Sequence, residues 1–310
     1  MHAINNRQKH ESVSKQPASL SVNNNINLCG GYFMNTSTTK TFIAGDEFEL
    51  IQSATDYSPN RAENGWISGY FYHCEISSIF QPIFSVAQRK TIGHAAYIRS
   101  QSNGEVALWP WQVFSLASKD DQLVDLDRLC RAIHALNYYF NNTSKVDSLF
   151  VDVHPRLLES VKDDHGRAFE NFLDLIGIKT SRVVIEIPAI VNRNWKLLQH
   201  VITNYRSRGY QIAANYTGTR SDWMTELGSL YPDFVRIEAR DLVRHEAIAP
   251  LIDTLHGFNA SLLVRDIETP EQLIAARNTD ADYLQGNLLG KPVHAIEDST
   301  PQFFLENGNT

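Results

Sequence analysis

The sequence contains little cysteine, no long apolar run and no excess of basic residues. Its three cysteines, Cys29, Cys74 and Cys130, are odd in number and share no C-x-x-C spacing. This pattern suggests neither a disulfide framework nor a zinc site, and it favours a reducing, cytoplasmic location. No apolar stretch approaches the ~20 residues that a membrane-spanning helix needs. The polar N-terminal region also lacks the pattern of a secretory leader.

What is present describes a folded, acidic protein. The chain has 310 residues, of which 43% are hydrophobic and 10% aromatic, and this is enough for a large core. Its formal net charge of −7 at pH 7 argues against a general affinity for nucleic acid or for an anionic membrane surface. We therefore expect no membrane partner and no direct contact with nucleic acid.

The composition divides the chain into four segments. Residues 1–40 are rich in Asn, Ser and Thr, which predicts a disordered polar tail. Residues 41–75 carry short apolar stretches that indicate no particular structure, so this segment is interpreted as an N-terminal extension. Residues 76–300 form the regular domain, and residues 301–310 form a second tail.

Strand-like and helix-like runs alternate through the regular domain. The predicted strands cover residues 80–84, 92–98, 148–153, 182–187, 210–214, 234–238, 261–265 and 283–284. Repeated β-α units predict an α/β fold with parallel strands and outer helices, and about eight such strands favour a closed barrel. A helix predicted for residues 120–140 carries apolar residues at the helical period, and Cys130 among them is interpreted as a core residue.

Charged and amide residues end several of these strands. In barrels of this kind the C-terminal ends of the strands form the active site. Residues two apart in a strand share a face, so Ala95, Tyr97 and Arg99 lie on the same side of theirs. The other strand ends supply Asp152, Glu186, Asn215, Arg236, Glu238 and Arg265. We expect these side chains to meet at one mouth of the barrel.

From about Phe80 to Pro292 the sequence resembles the EAL domain, a bacterial family that hydrolyses or senses cyclic di-GMP. The matching stretches follow the family's order with compatible spacing, and they are Phe80–Ile83, Gly93–Arg99, Leu149–Leu158, Val184–Ile187, Asp233–Glu238, Ile267–Thr269 and Gln285–Pro292. The resemblance implies an EAL-type variant (β/α)8 TIM-like barrel in which one strand is reversed.

EAL phosphodiesterases hold two divalent metals with carboxylates, and the sequence departs from the family at most of those positions. According to the resemblance, Glu186, Glu268 and Gln285 are retained at metal-site positions. The replaced positions are Ala95 for Glu, Asp152 for Asn, Asn215 and Tyr216 for two Asp, and Glu238 for Asp. The Lys that helps to activate water is replaced by Arg236, and a further Glu is replaced by Arg265.

These exchanges predict a degenerate domain that is not an enzyme. Two-metal hydrolysis needs hard oxygen ligands that converge on ions ~3.5–4 Å apart. Arginine stays protonated at usable pH, so Arg265 would repel a divalent ion and Arg236 cannot serve as a general base. We expect no bound metal and no cofactor. Instead, the cations of the mouth would neutralise its anions in a network of Arg99, Arg236 and Arg265 with Asp152, Glu186 and Glu238.

The first functional hypothesis is a metal-independent receptor for cyclic di-GMP. The resemblance to inactive family members that still bind the ligand implies contacts from Gln81 and Arg99, with Arg236 or Arg265 near the phosphates. The bulk of Tyr97, where the family has Leu, argues against this hypothesis because the ring would fill ligand space.

The second hypothesis, from a different class, is a nucleotide-independent protein-interaction module. The resemblance to family members of this kind implies that such a module would regulate a transcription factor or another signalling partner in motility, biofilm or virulence control. Function follows the site and not the fold, so both hypotheses stay open. Homodimerisation stays open under both hypotheses. A third idea is a new transition-metal site built from His94, Asp152, His154 and Glu186.

Overall fold

The structure is a computed structural model, and the residues that it describes lie between positions 49 and 296. They are residues 49, 52–53, 59–102, 108–141, 147–161, 164–188, 194–215, 231–244, 254–255, 257–294 and 296. All of them fall within one compact unit, Phe42–Thr310. The predicted tails at 1–40 and 301–310 and the candidate position Tyr216 lie outside the described residues.

Ten strands form a single sheet. They are β1 (Pro59–Arg61), β2 (Ile67–Phe71), β3 (Cys74–Ser85), β4 (Lys90–Ser102), β5 (Ser148–Asp152), β6 (Val183–Ile187), β7 (Gln211–Asn215), β8 (Phe234–Glu238), β9 (Ser261–Arg265) and β10 (Tyr283–Leu284). The helices with described bounds are α1 (Pro110–Leu116), α2 (Asp120–Asn141), α3 (Pro155–Ser160), α4 (Arg167–Leu175), α5 (Trp195–Ser207), α6 (Ala239–Arg244) and α7 (Pro270–Arg277). The short 3-10 helix Thr180–Arg182 precedes β6.

Eight of the strands close into a barrel. The order runs β3-β10-β9-β8-β7-β6-β5-β4, and a further pairing of β3 with β4 completes the ring. Neighbouring strands from β4 to β10 are parallel, whereas β3 is antiparallel to both β4 and β10. This topology confirms the variant (β/α)8 barrel with one reversed strand.

The first two strands of the barrel are longer than the sequence predicted. β3 and β4 pair from Cys74 opposite Ser102 down to Ser85 opposite Lys90, with one irregularity between Ile83 and Phe84. β1 and β2 add to the free part of β3, so the sheet continues beyond the rim of the barrel. The sheet therefore runs without interruption across position 76, where the composition suggested a boundary.

Two apolar layers hold the barrel together. Inside the ring, side chains such as Ile83, Ala95 and Phe150 pack against one another and against those of β6 to β9. Outside the ring, α2 packs on the sheet because its apolar residues recur at the helical period and form one face. Asp120 and Asp121 lie in the first turn of α2, where their charges stabilise the positive end of the helix dipole. The thiol of Cys130 is buried in this outer layer, as predicted. In the described part of the chain no helix is long and apolar enough to span a membrane.

Candidate functional site

The polar strand ends meet in register at one mouth of the barrel. The parallel pairing aligns Asp152 with Glu186, Asn215 with Arg236, and Glu238 with Arg265. Each pair lies at the C-terminal end of its strands, because parallel strands present those ends on the same side of the sheet. The structure therefore brings together the strand-end residues that the sequence assigned to β5 through β9.

Arg236 occupies the centre of this mouth and is completely buried. Its Nη1 lies 2.5 Å from Oε2 of Glu186 and 3.6 Å from Oδ1 of Asp152. The side chain of Glu186 is 2% exposed, whereas that of Asp152 is 56% exposed. One guanidinium thus faces two carboxylates, and its short contact lies in the part of the mouth that excludes water.

The shared guanidinium leaves this cluster with an excess of negative charge. Burial raises the pKa of Glu186 to about 8, Arg236 opposes that rise, and the Asp152 carboxyl, which is hydrogen-bonded to Glu186, adds to it. Burial disfavours the charged form of Arg236, but Glu186 and Asp152 outweigh it and raise the pKa of the guanidinium. Arg236 therefore remains a cation, and Glu186 retains its proton to a higher pH than an exposed carboxyl does.

A second ion cluster lies further out. Arg265 Nη2 is 3.0 Å from Oε1 of Glu238, and Arg265 Nε is 3.6 Å from Oδ2 of Asp266. Glu238 also pairs with Arg240 through its other oxygen. About a quarter of the side chains of Arg265 and Glu238 is exposed, so water screens this cluster more than it screens Arg236.

Gln285, which follows β10, links the reversed strand β3 and its neighbour β4. Its Nε2 donates to Oε1 of Gln81 at 2.9 Å and to the hydroxyl of Tyr97 at 3.0 Å. Burial, followed by the charge of Glu186, raises the pKa of the Tyr97 phenol, which keeps the hydroxyl protonated. Tyr97 thus fills part of the mouth with a neutral ring that is fixed at its tip.

The hydrogen-bond chain continues from Gln81 to the rim. Gln81 Nε2 donates to Oδ1 of Asn287 at 3.2 Å and to the carbonyl of Gly290 at 3.1 Å. Asn287 Nδ2 in turn donates to both carboxylate oxygens of Glu268, at 2.9 and 3.1 Å. Gln81 is buried and hydrogen-bonded to protein groups, and its contact with a nucleotide stays a prediction.

Arg99 does not join the predicted network with Asp152, Glu186 and Glu238, and this part of the prediction is wrong. It pairs with Ser77 in the long β3–β4 ladder, which carries it beyond the rim of the barrel. Among the described residues, it makes no ion pair.

Arg99 instead lines a cavity of about 260 Å³ beside the sheet extension. Trp66 and His294 contribute aromatic walls, with ring centroids 5.4 Å apart at an angle of 76°. Glu75 also lines the cavity and accepts a 2.6 Å hydrogen bond from the hydroxyl of Ser68. Burial and the nearby Arg99 cation lower the pKa of His294, so the imidazole is neutral at pH 7. The cavity combines one cation, one carboxylate and two aromatic faces.

The side chains at the remaining predicted positions supply few oxygen atoms that could bind a metal at the centre of the mouth. Ala95 is buried inside the ring, where its methyl group packs in the same apolar layer as Phe150 and Leu263. Asn215 ends β7 next to Arg236 and is partly buried. The retained Glu268 lies at the rim, where it accepts from Asn287.

The histidine-based metal site is wrong. His94 is buried on the outer side of β4, where its Nδ1 lies 3.2 Å from the hydroxyl of Tyr138. His154 caps α3 and stacks on Phe114 with ring centroids 4.8 Å apart. His94 points away from Glu186 because it lies one position out of phase with Ala95 on the inward face of β4. His154 lies beyond the end of β5, where its side chain caps α3. No cluster of three His, Cys, Asp or Glu able to hold a metal occurs in the described residues.

Sequence reasoning missed Trp66, Glu75, Asn287 and His294. Asn287 lies two residues after Gln285. Outside a regular strand this spacing does not show that the two side chains face the same way, so the conformation of the turn had to be known first. Trp66, Glu75 and His294 come from opposite ends of the described chain, and their meeting depends on the sheet extension. No local pattern in the sequence could have grouped them.

Comparison with known proteins identifies the family to which this barrel is similar. The model of the EAL domain matches residues 66–292. An uncharacterised EAL-domain-containing protein, YkuI of Bacillus subtilis, is 26% identical over 233 residues, which cover 70% of this chain and 55% of YkuI. The chain thus spans about half the length of that relative.

Solved EAL structures share the fold. YkuI of Bacillus subtilis, in complex with substrate cyclic di-GMP and calcium, matches with a TM-score of 0.63 and 24% identity over 74% of this chain and 60% of that one. The FimX EAL domain of Xanthomonas citri, in complex with cyclic di-GMP, matches with a TM-score of 0.58 and 16% identity, and the match covers 72% of this chain and 91% of that one. A standalone EAL protein of Vibrio cholerae O395, in its cyclic di-GMP-bound form, matches with a TM-score of 0.60 and 15% identity, and the match covers 72% of this chain and 94% of that one. At these identities the similarity is evidence for the fold.

Proposed function

Because the chain belongs to the EAL domain family, we propose that it is a signalling protein that binds cyclic di-GMP and does not hydrolyse it. The observation that carries the proposal is Arg99, a cation without an ion pair in the described residues that lines a cavity with aromatic walls. The similar proteins YkuI and FimX were solved with cyclic di-GMP, which supports this ligand class.

The cavity at Arg99 matches the chemistry of a guanine nucleotide. A guanidinium binds phosphate oxygens in bidentate fashion. The Glu75 carboxylate can accept from the Watson–Crick edge of guanine, which presents two neighbouring N–H donors. The ring faces of Trp66 and His294 offer stacking surfaces for a base. We propose that one half of the dinucleotide enters this cavity, with its phosphate toward Arg99.

Loss of hydrolysis follows from the charge at the centre of the mouth. A divalent ion at this place needs the carboxylates of Glu186 and Asp152 as ligands. The buried guanidinium of Arg236 lies within 2.5 Å of the first, and its positive charge opposes a second cation there. Ala95 offers no donor at the position where the family has Glu. These residues do not fit a pair of metal ions.

Isothermal titration calorimetry tests binding directly. Cyclic di-GMP would be titrated into the whole chain in magnesium buffer and again in EDTA. We expect similar dissociation constants in the two buffers, because Arg99 and not a metal ion neutralises the phosphate. Arg99→Ala should weaken binding about tenfold or more, since charge-assisted hydrogen bonds contribute ~1.5–3 kcal/mol. The matched control is Arg277→Ala, which removes an exposed arginine from the last turn of α7.

Product analysis tests the second half of the proposal. The protein would be incubated with cyclic di-GMP and magnesium or manganese, and the mixture would be separated by chromatography. Accumulation of the linear dinucleotide would overturn the claim that the domain does not hydrolyse its ligand. Binding in magnesium that disappears in EDTA would show that a metal ion is needed after all.

A protein-interaction module is the second candidate function, and the closed hydrogen-bond chain of the mouth favours it. Gln81, Gln285 and Tyr97 satisfy one another, so a nucleotide that uses them must first break these bonds. Absence of heat with cyclic di-GMP in both buffers, from a protein that circular dichroism shows to be folded, would support this candidate over the receptor.

A further inference from the structure

A separate cavity lies in the outer layer of the protein, between α2 and α4. It has a volume of about 260 Å³. Its walls are mainly apolar and include Ala132, Ala168, Phe169, Phe172 and Leu175. The volume is slightly below the ~300–1,000 Å³ of typical small-molecule sites, so any ligand must be small. The cavity shares no lining residue with the cavity at Arg99.

A buried guanidinium forms the polar part of this cavity. Arg131 is 4% exposed, and its Nε lies 2.6 Å from Oδ2 of Asp127. Its Nη1 makes only a long contact of 3.4 Å with the hydroxyl of Tyr205. Its Nη2 is buried and has no hydrogen-bond partner in the part of the chain that the structure describes. A buried donor without an acceptor costs free energy. A ligand that accepts a hydrogen bond from Nη2 would therefore gain more binding free energy there than at a donor that is already paired.

The charged side chains that line the cavity favour an anionic ligand. The charged side chains in its described lining are Arg128 and Arg131, and both are cations. Asp127 lines a neighbouring cavity of about 60 Å³ on the other side of Arg131. Asp127 therefore neutralises part of the guanidinium charge through Nε, and it is absent from the described lining of the larger cavity. A single anionic group on an apolar body fits this arrangement.

The apolar walls define the rest of the ligand. Cζ of Arg131 lies over the ring of Phe169, 5.6 Å from the ring centroid, in the range of a cation–π interaction. Phe169 and Phe172 are stacked with ring planes 13° apart, and they present an apolar surface beside the charge. An alkyl or aromatic body would lie on this surface and be removed from water.

We propose that this cavity binds a small monocarboxylate with an apolar body, whose carboxylate accepts from Nη2 of Arg131. The exposed Arg128 guanidinium stands at the entrance and adds a second cation. A dianionic phosphate ester fits less well, because Asp127 already compensates part of the buried charge. The site is independent of the cyclic di-GMP site, so neither proposal depends on the other.

Calorimetric titration with three ligands of equal chain length tests the charge preference. Octanoate, 1-octanol and octylamine would each be titrated into the whole chain at neutral pH. We expect saturable binding of octanoate with a stoichiometry of one, at least tenfold weaker binding of octanol, and no binding of octylamine. Equal affinity for octanoate and octanol would overturn the role of Arg131, and no binding of octanoate would overturn the site.

Variants test the location. Ala168→Trp places an indole at the exposed edge of the cavity without changing a charge, and it should abolish octanoate binding. Arg128→Gln changes an exposed residue and should weaken binding several-fold. Arg131→Gln should weaken it at least tenfold, and the double variant Asp127→Asn with Arg131→Gln avoids an unpaired buried carboxylate if the single variant unfolds. Octanoate binding that survives in folded Ala168→Trp would show that the ligand lies elsewhere.

Discussion

Arg236 and Glu186 form an ion pair that is buried at the mouth of the barrel, with 2.5 Å between Nη1 and Oε2. The two side chains come from β8 and β6, and the strand β7 separates them in the sheet. Only inward-facing residues can meet across an intervening strand, so this contact follows directly from closure of the barrel. It also means that a protein cation stands beside the buried carboxyl of Glu186.

The first prediction concerns the unequal energetic weight of the two arginines. Above pH 8, where Glu186 is ionised, Arg236→Met removes the cation beside this buried carboxylate and should lower the free energy of unfolding by about 3–5 kcal/mol. Arg265→Met breaks a partly exposed pair with Glu238 and should cost only ~0–1 kcal/mol. Urea denaturation followed by circular dichroism measures both values.

The double variant Arg236→Met with Glu186→Gln is the matched control. It removes both charges, so it should recover much of the stability that Arg236→Met loses. Equal costs for Arg236→Met and Arg265→Met would contradict the assignment of Arg236 as the buried centre of the network.

The second prediction is a dependence of stability on pH that Glu186 controls. The pKa of this carboxyl is raised in the folded protein to about 8, so the folded state retains a proton that the unfolded state releases at lower pH. The contribution of Glu186 to stability is therefore fully present below about pH 4.5 and is lost as the pH rises toward 8. The slope reaches at most ~1.4 kcal/mol per pH unit for one proton.

Glu186→Gln isolates this contribution. The amide does not titrate, so the free energy of unfolding of the variant should fall less than that of the parent protein between pH 5 and pH 8. Urea denaturation at intervals of half a pH unit measures the difference. A parent protein whose stability rises relative to the variant over that range would indicate that Arg236 lowers the pKa of Glu186 instead.

The barrel and most of its mouth were predictable because strand parity is a strong constraint. Once Asp152, Glu186 and Arg236 are assigned to strand ends, period-two alternation and parallel register leave little freedom in where they point. Arg99 obeys the same parity and still lies elsewhere, because β4 extends past the rim and pairs with β3 over its full length. Strand length depends on the partner strand, which parity does not reveal.

The hydrogen bonds of Gln81 show a different limit of the sequence. Its partners Gln285 and Asn287 are more than two hundred positions away, and the reversed direction of β3 decides which of its side chains face them. The resemblance to EAL domains identified the position of Gln81 but not the protein groups that now engage it. Contacts between amide side chains carry no period or composition that could have predicted them.

The third prediction concerns the space that Tyr97 fills. Tyr97→Leu removes both the ring and the hydroxyl that accepts from Gln285, and it should strengthen cyclic di-GMP binding several-fold because it opens the mouth beside Gln81. Tyr97→Phe keeps the ring and removes only the hydroxyl, so its affinity should stay close to that of the parent protein. Calorimetry distinguishes the two. A larger gain for Tyr97→Phe than for Tyr97→Leu would show that the hydrogen bond, and not the bulk, limits binding.

The last prediction tests the turn that carries Gln285 and Asn287. A Cβ on Gly286 would lie 2.2 Å from the carbonyl oxygen and 2.3 Å from the nitrogen of Ile267, both of which are backbone atoms. That same carbonyl accepts from Leu288 and that same nitrogen donates to Gln285, so the backbone cannot yield without breaking these bonds. Gly286→Ala should therefore lower the free energy of unfolding by about 2–4 kcal/mol. Gly257→Ala is the matched control and should change stability little, because beyond its own chain neighbours and helix backbone no atom of the described residues lies within 4 Å of a Cβ placed there. Equal denaturation midpoints for the two variants would mean that β10 and the following turn do not approach Ile267 as closely as described, and that Gln285 is not held at the mouth by this contact.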